Sequence, residues 1–266
     1  MEEESLQSVA FSEQNKYTHG APHLSHESVR RESEKLLRTA IASLPSSKKT
    51  KTTLEVGAGD GTYTDFLKGN NLNVTVTEMS EYSVKLLSER YQNDPSVKVI
   101  LDRDGTWPKD SPESFDLLVC MSVLHHIPDY VEYLSWAFSL VEEGGAFVSW
   151  ADPLWYPRRS RVNMVVDRGA YFAWRMGQGK YHQGLKTRIR RMRGHYDEAL
   201  VEDVSEYHVV RSGVDEEGIQ NLALEFFDEV KIIKYWGTQS RQLQKIGDLT
   251  GLVSTFGIIA TGRKSR

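Results

Sequence analysis

Residues 54–64 read LEVGAGDGTYT, and this stretch decides the fold. A short apolar run leads into three glycines, Gly57, Gly59 and Gly61, and a helix-forming run follows them. Glycine allows the backbone to turn sharply and to approach a ligand closely. The N-terminus of the following helix offers unpaired N–H groups to that ligand. The stretch therefore predicts a strand, a binding loop and a helix in succession.

The alternation of strand and helix continues on the C-terminal side of this stretch. Apolar runs predict four further strands: LNVTVTEMS (72–80), VKVILDRD (97–104), FDLLVCMSVL (115–124) and AFVSWADP (146–153). Helical patterns separate them in SEYSVKLLSERYQ (80–92), with Ser80 as N-cap, and in DYVEYLSWAFSLV (129–141), which the EEGG run ends. Such alternation is typical of a parallel α/β sheet that is covered by helices on both faces.

The two ends of the chain and residues 153–208 depart from this pattern. Residues 1–24 are interpreted as a loose leader before a helix over Ser25–Leu44, and 153–208 contain no predicted strand. A helix in VDEEGIQNLALEFF then precedes two strands, EVKIIKYWG and TFGIIATG, which we expect to pair as a hairpin at the sheet edge. We divide the chain into an N-terminal cover and helix (1–45), a binding core (46–152), a basic and aromatic insert (153–212) and a C-terminal helix with the last two strands (213–266).

Composition excludes several classes of protein. The 266 residues are 39% hydrophobic and carry a net charge of −4, which gives no overall bias towards nucleic acid or an anionic membrane. The single cysteine, Cys120, allows no internal disulfide and no cysteine-based zinc cluster, and its apolar strand predicts a packed side chain. The chain starts with an acidic, polar segment and has no apolar run of 18 residues, so a cytoplasmic location is expected.

The glycine spacing separates two kinds of nucleotide ligand. The dinucleotide fingerprint is G-x-G-x-x-G, but here the spacing is G-x-G-x-G and the sixth position is Thr62. Glu55 lies two residues before the first glycine, where its carboxylate would repel a pyrophosphate. The same carboxylate is compatible with a positively charged ligand. A Rossmann-like domain for another nucleotide remains the alternative interpretation.

The stretch LEVGAGDGTYT (54–64) resembles motif I of the class I methyltransferases that depend on S-adenosylmethionine (SAM). The segments that follow it resemble those of the small-molecule, type 11-like branch of this family. The resemblance implies a Rossmann-like, mostly parallel seven-stranded sheet, SAM as cofactor and S-adenosylhomocysteine as product. It also implies that Glu78 binds the ribose hydroxyls, that Met79 packs on adenine, and that Asp104 and Gly105 lie at the adenine amino group. The complete predicted cofactor site is Tyr17, Glu55, Gly57, Gly59, Gly61, Thr62, Glu78, Met79, Asp104, Gly105 and Met121.

Two adjacent histidines are the candidate catalytic bases. His125 and His126 follow the fourth strand in LHHIPD, and Asp152 ends the fifth, so all three are expected at the carboxyl edge of the sheet. An imidazole is suited to take a proton from a hydroxyl acceptor at neutral pH, and a carboxylate could orient it. We prefer His126 as base. The arrangement resembles natural-product sugar O-methyltransferases, although one histidine of such a segment often serves only packing.

The insert is strongly basic. Residues 157–194 contain nine arginines and two lysines against Asp167 alone, a net charge of +10 that leaves −14 for the rest of the chain. Three interpretations remain open: a helical lid over an acidic or planar acceptor, an RNA-binding surface, and a solvated basic helix or partner-subunit surface. Near the N-terminus, the segment KYTHGAPHLSH (16–26) contains His19, His23 and His26 but no carboxylate or cysteine, so we expect a cover over the cofactor and no metal.

The sequence thus predicts methyl transfer from SAM to a hydroxyl or amine of a small molecule. The resemblance implies a role in natural-product metabolism. The alternatives are an RNA methyltransferase that uses the insert, and a SAM-fold protein without methyl transfer, for instance a cyclase. We expect an acidic or aromatic acceptor, no nucleic acid or membrane partner, and a monomer or homodimer.

Overall fold

The structure is a computed structural model, and it describes residues 21–47, 49–177 and 212–265. A seven-stranded sheet forms its centre, with strand order β3-β2-β1-β4-β5-β7-β6. The strands are β1 (Lys51–Val56), β2 (Leu72–Glu78), β3 (Val97–Leu101), β4 (Phe115–Met121), β5 (Val141–Pro153), β6 (Phe227–Tyr235) and β7 (Thr255–Arg263).

The pairing of the strands confirms the predicted parallel sheet and hairpin. Strands β1 to β5 pair in parallel, and β7 runs antiparallel between β5 and β6. Because β6 is parallel to β5, the end of β6 lies at the same edge as the carboxyl ends of β1 to β5. This edge is where open α/β sheets bind their ligands.

Helices cover both faces of the sheet. The first part of the chain supplies α1 (Pro22–Ser25), α2 (Glu27–Ser43), α3 (Thr62–Gly69), α4 (Glu81–Arg90) and α5 (Trp107–Asp110). The later part supplies α6 (Tyr130–Ser139), α7 (Arg161–Gly177), α8 (Glu216–Phe226) and α9 (Arg241–Gly247). The core forms two clusters: α2, α3 and α4 pack on one face, and α6 and α8 pack on the other. None of the described helices is long and apolar enough to cross a membrane.

Three local expectations about secondary structure were wrong or incomplete. Residues 22–25 are helical, and Ala21 and His23 are buried, so the leader does not extend to residue 24. The EEGG run belongs to β5, because Phe115 pairs with Val141 and draws this segment into the sheet. The connection between β6 and β7 contains α9, which Ser240 caps by accepting from the Leu243 N–H group. The predicted cap of α4 is confirmed, since Ser80 accepts from Ser83.

Candidate active site

The glycine loop between β1 and α3 has the conformation that its sequence requires. Gly57, Gly59 and Gly61 have φ values of 66°, 58° and 80°, which are unfavourable for residues with a Cβ atom. A Cβ on Gly57 would lie 2.5 Å from Cγ2 of Val123, which follows β4. The loop therefore packs directly against the segment that carries the two histidines. Thr62, the next predicted site residue, is half-buried at the start of α3.

Glu78 connects the end of β2 with the glycine loop. Its side chain is buried, and its two carboxylate oxygens accept from the N–H groups of Gly59 and Ser80, each at 3.0 Å. Burial raises the pKa of Glu78, while these backbone donors act in the opposite direction. The acid is thus held in a fixed position beside the loop, and the half-buried Met79 follows it.

Glu55 lies at the other side of the loop, at the end of β1. Its side chain is 1% exposed, and Oε2 accepts from the Thr64 hydroxyl at 2.6 Å. Burial is the main cause that raises the pKa of Glu55 to about 8, and the nearby charge of Asp60 acts in the same direction. Without a ligand, the carboxyl group is therefore mostly protonated at neutral pH. A positive charge placed beside it would lower this pKa again.

Two aspartates follow β3, and the structure places them differently. Asp104 is exposed, and its Oδ1 accepts from the N–H and hydroxyl groups of Thr106. Asp102 is buried directly after β3, where its N–H donates to the Glu78 carbonyl at 2.9 Å and its Oδ1 accepts from the Trp107 N–H group at 3.2 Å. Sequence reasoning missed Asp102, although its position as the first residue after the strand was a usable signal. Gly105, with a φ of 71°, has open space around it.

His125, in the segment after β4, and Asp152, near the end of β5, form a hydrogen-bonded pair. The Nδ1 atom of His125 lies 2.8 Å from Oδ1 of Asp152, and the His125 N–H group donates to the same oxygen at 3.2 Å. Asp152 is fully buried, and its Oδ2 accepts from the Ser149 hydroxyl at 3.0 Å. The ring of His126 lies 4.0 Å from the ring of His125, tilted by 44°. The structure thus brings together all three predicted catalytic residues.

Unusual backbone conformations hold this pair in place. Ser122, directly after β4, has a φ of 59°, and Ala151 in β5 has a φ of 69°. The pairing of β5 with β7 shifts register between Trp150 and Asp152, so Ala151 forms a bulge. A bulge turns the following side chain in a new direction, and here that side chain is Asp152. Strained residues of this kind cluster at functional sites.

The remaining predicted residues are distributed as follows. Met121 is buried at the end of β4. Tyr17 and His19 lie outside the described residues, as does the part of the insert from residue 178 to residue 211. His23 stacks on Tyr63 at 6.3 Å, and the Nε2 atom of His26 bonds to the Thr238 carbonyl at 2.6 Å. Among the described residues no group of three or more acidic, histidine or cysteine side chains could hold a metal.

Among the described residues, Cys120 is a packed core residue and one cavity lies away from the site. Cys120 is buried in β4, and burial raises the pKa of its thiol, which suits a packed side chain. A cavity of about 470 Å³ lies beside α4 and the start of β3, lined by residues such as Ser88 and Asn93. It is at the amino end of β3 and so away from the edge that carries the glycine loop and the His125–Asp152 pair.

Sheet order, glycine loop and strand-end acids together define a Rossmann-like domain of the methyltransferase type. The family model described as "Methyltransferase domain" matches residues 27–173. The chain therefore belongs to the methyltransferase-domain family. The predicted class, a class I SAM-dependent methyltransferase, is confirmed at the level of family and fold.

The curated relatives match only part of the chain. The ubiquinone biosynthesis O-methyltransferase of Thiobacillus denitrificans is 29% identical over 96 residues, which are 36% of this chain and 41% of that protein. The protein of the same name from Nitrosomonas europaea is 28% identical over 99 residues, with 36% and 41% covered. The matches thus span about two-fifths of the length of these relatives.

Solved structures show the same fold at low sequence identity. The N-methyltransferase NodS from Bradyrhizobium japonicum, in complex with S-adenosylhomocysteine, has a TM-score of 0.56 at 14% identity and covers 100% of both chains. The CurJ carbon methyltransferase has a TM-score of 0.54 at 16% identity, over 91% of this chain and 57% of its own. At these identities the likeness concerns the fold alone.

Proposed function

We propose that this protein transfers a methyl group from SAM to a hydroxyl group of a small molecule, with His125 as the base and Asp152 as its positioning residue. The observation that carries this proposal is the contact of 2.8 Å between His125 Nδ1 and the fully buried Asp152 at the carboxyl edge of the sheet. The sequence interpretation preferred His126. The bond to Asp152 supports His125 instead.

The described loops suit a ligand that has a positive centre and a ribose. SAM supplies a sulfonium whose methyl group is transferred by in-line displacement. Glu55 is a buried carboxyl at the loop, where a positive ligand would favour its charged form. Glu78, positioned by the Gly59 and Ser80 N–H groups, has acceptor oxygens that suit a vicinal diol.

The other residues of the cofactor site complete this proposal. Gly57, Gly61 and Thr62 would border the amino-acid end of SAM, whereas Met79, Gly105 and Met121 would border the adenine. Asp102 joins Asp104 as a candidate for the adenine amino group, because Asp102 is buried and hydrogen-bonded to the strand that carries Glu78. Tyr17 stays a prediction outside the described residues.

The His125–Asp152 pair can accept the proton that a hydroxyl acceptor loses. Asp152 accepts from Nδ1–H of His125, which fixes the tautomer so that Nε2 can accept a proton. Bound SAM would supply the methyl group and leave as S-adenosylhomocysteine. His125 Nε2 would take the proton of the acceptor hydroxyl as the acceptor oxygen bonds to the methyl carbon. Asp152 then stabilises the resulting imidazolium. The glycine loop and the β4 segment align the reactants, which is the main source of rate in such a displacement.

The names of the curated relatives favour oxygen as the acceptor atom. Both are named O-methyltransferases, and a base is useful for a hydroxyl but dispensable for a neutral amine. A role in natural-product metabolism stays part of this proposal, as do a cytoplasmic location and the division of the chain into cover, core and insert.

The test compares conservative variants of the two histidines. SAM binding is measured by calorimetry, and turnover is measured as S-adenosylhomocysteine release with a panel of phenols, catechols and sugars. His125→Gln should lower turnover by about 100-fold or more while SAM binding is kept, because only proton removal is lost. His126→Gln is the matched control and should stay near the original rate. Full turnover in His125→Gln would refute the assignment of the base.

A further inference from the structure

Helix α7, which follows the end of β5 at the carboxyl edge of the sheet, exposes a row of large apolar side chains. Their exposed fractions are 67% for Val162, 67% for Val165, 37% for Val166, 47% for Phe172 and 51% for Met176. Eleven large apolar side chains of the described residues are exposed, and five of them lie on this one helix. Their spacing places them on a single face. We call these five residues the outer stripe.

The opposite face of α7 is anchored to the rest of the protein. Ala170 is buried, and Asp167 accepts from the Arg159 guanidinium at 3.1 Å and from the Trp236 indole at 3.2 Å. The Arg159 side chain is only 6% exposed, and Trp236 follows β6 at the carboxyl edge. Partly buried polar contacts therefore fix the orientation of the helix. The outer stripe faces solvent because the opposite face of α7, with Ala170 and Asp167, contacts the rest of the protein.

Positive charge borders the outer stripe. Arg161 and Arg168 are exposed and, seven residues apart, lie along the same edge of the stripe. The one acidic residue of the helix, Asp167, is on the anchored face. Residues 157–194 as a whole carry a net charge of +10. An apolar face bordered by arginines is the pattern of helices that lie in the interface of a membrane.

The charge of this surface favours one binding partner over two others, a second copy of the chain and an RNA. A two-fold dimer through the outer stripe would place the same patch of each copy against the other, and so one basic segment against a second. Like charges at such short range oppose this contact. An RNA would use the arginines but would leave the valine side chains without a stacking partner. An anionic lipid surface satisfies both features, since its headgroups attract arginine and its acyl boundary accepts apolar side chains.

We propose that the outer stripe of α7 docks on the surface of an anionic lipid membrane, with Arg161 and Arg168 at the headgroup phosphates. The expectation of no membrane partner, which rested on net charge and the lack of a long apolar run, is revised by this proposal. The docking concerns a surface contact and no membrane-spanning segment. It does not depend on the proposed methyl transfer.

The experiment uses the full chain and two kinds of vesicle, one of phosphatidylcholine and one with added phosphatidylglycerol. Cosedimentation should show binding to the anionic vesicles that weakens as salt is raised. The double variant Val165→Asp and Phe172→Asp should lower the affinity about tenfold or more, because it removes two inserting side chains. The matched control is Leu249→Asp, at a residue 88% exposed outside α7, which should bind like the original protein.

A charge variant and a measurement of mass complete the test. Arg161→Gln and Arg168→Gln should each lower binding to the anionic vesicles about fivefold, with little effect on neutral ones. Circular dichroism and SAM calorimetry check that every variant is folded. Absence of vesicle binding, or equal binding by the stripe variant, would overturn the proposal. A dimer in solution that the stripe variant converts to monomer would assign the stripe to self-association and would also overturn it.

Discussion

Ala151 and Ser122 show how single residues determine the geometry of the site. Both have positive φ values, 69° and 59°, although neither is a glycine. The Ser122 N–H group donates to the Trp150 carbonyl at 2.6 Å, so the ends of β4 and β5 are tied together at these strained positions. The tie brings the segment with His125 next to Asp152. The energetic cost of the strain is about 1–3 kcal/mol for each residue and is met by the surrounding sheet.

Glu55 gives a prediction about pH at the same scale. Its folded pKa is about 8 against an ordinary value of 4.5, so between these pH values the folded protein holds a proton that the unfolded chain releases. Raising the pH through this range should therefore lower the free energy of unfolding, by about 1.4 kcal/mol per pH unit from this group. Glu55→Gln cannot ionise and keeps an acceptor for Thr64. It should remove this part of the pH dependence and become more stable than the original protein near pH 8.

The measurement is urea unfolding of both proteins at several pH values between 5 and 8. The difference between the two curves isolates Glu55, because the other titrating groups are shared. Curves that stay parallel over the whole range would show that Glu55 ionises alike in the folded and unfolded chains.

At the scale of elements, the N-terminal helices depend on two neutral histidines. Burial lowers the pKa of His23 to about 4, against a smaller opposite effect of Asp60. Burial is also the main cause that lowers the pKa of His26, and the charge of Arg241 lowers it further. The hydrogen bond to the Thr238 carbonyl and the charge of Asp248 raise this pKa in part. His26 joins the start of α2 to the loop after β6. The docking of α1 and α2 therefore requires that both imidazoles stay uncharged.

Acidification should weaken this docking. The unfolded chain binds a proton at each imidazole near pH 6.5, while the folded chain does not, so the free energy of unfolding should fall as the pH drops below that value. For His23 the loss is about 1.4 kcal/mol per pH unit. His23→Phe keeps a ring on Tyr63 and should lose less stability between pH 7 and pH 5. Urea unfolding at the two pH values measures this, and an equal loss in variant and original protein would contradict the assignment.

The elements also show which features a sequence can and cannot predict. Strands β1 to β5 were predictable because each is a short run rich in apolar and β-branched residues between turn or cap residues. The start of β5 was not, because Gly144 and Gly145 are typical of a helix end and only the pairing of Val141 with Phe115 makes the segment a strand. Helix α9 was missed because it is short, and its Gly247 packs on Trp236, a contact without local signal.

The same distinction applies to the site. The glycine loop and Glu78 could be recognised from a local sequence motif. The structure places both at the carboxyl edge. The choice between His125 and His126 depends on where Asp152 points. That direction results from the bulge at Ala151, which arises from the pairing of β5 with β7 some hundred residues later. No local pattern predicts such a contact.

At the scale of the whole molecule, the proposed cofactor site joins the two clusters of the core. Glu55 lies near the end of β1 and the glycine loop follows this strand, which contributes Leu54 and Val56 to the cluster beside α6. Tyr63 and Leu67, in the helix that the loop begins, belong to the cluster beside α2. A ligand at this position contacts elements from both faces of the sheet. Its binding should therefore stabilise the described domain as one cooperative unit.

Thermal unfolding with and without SAM tests this expectation. A ligand at about 100 times its dissociation constant adds about 2.7 kcal/mol to the free energy of unfolding. For a domain of this size the gain corresponds to a rise in Tm of about 5–10 °C. Glu78→Ala, which removes the acid between loop and β2, should show little rise at the same SAM concentration. A rise confined to one of two separate transitions would mean that the two clusters unfold independently, and no rise in the original protein would argue against SAM as its ligand.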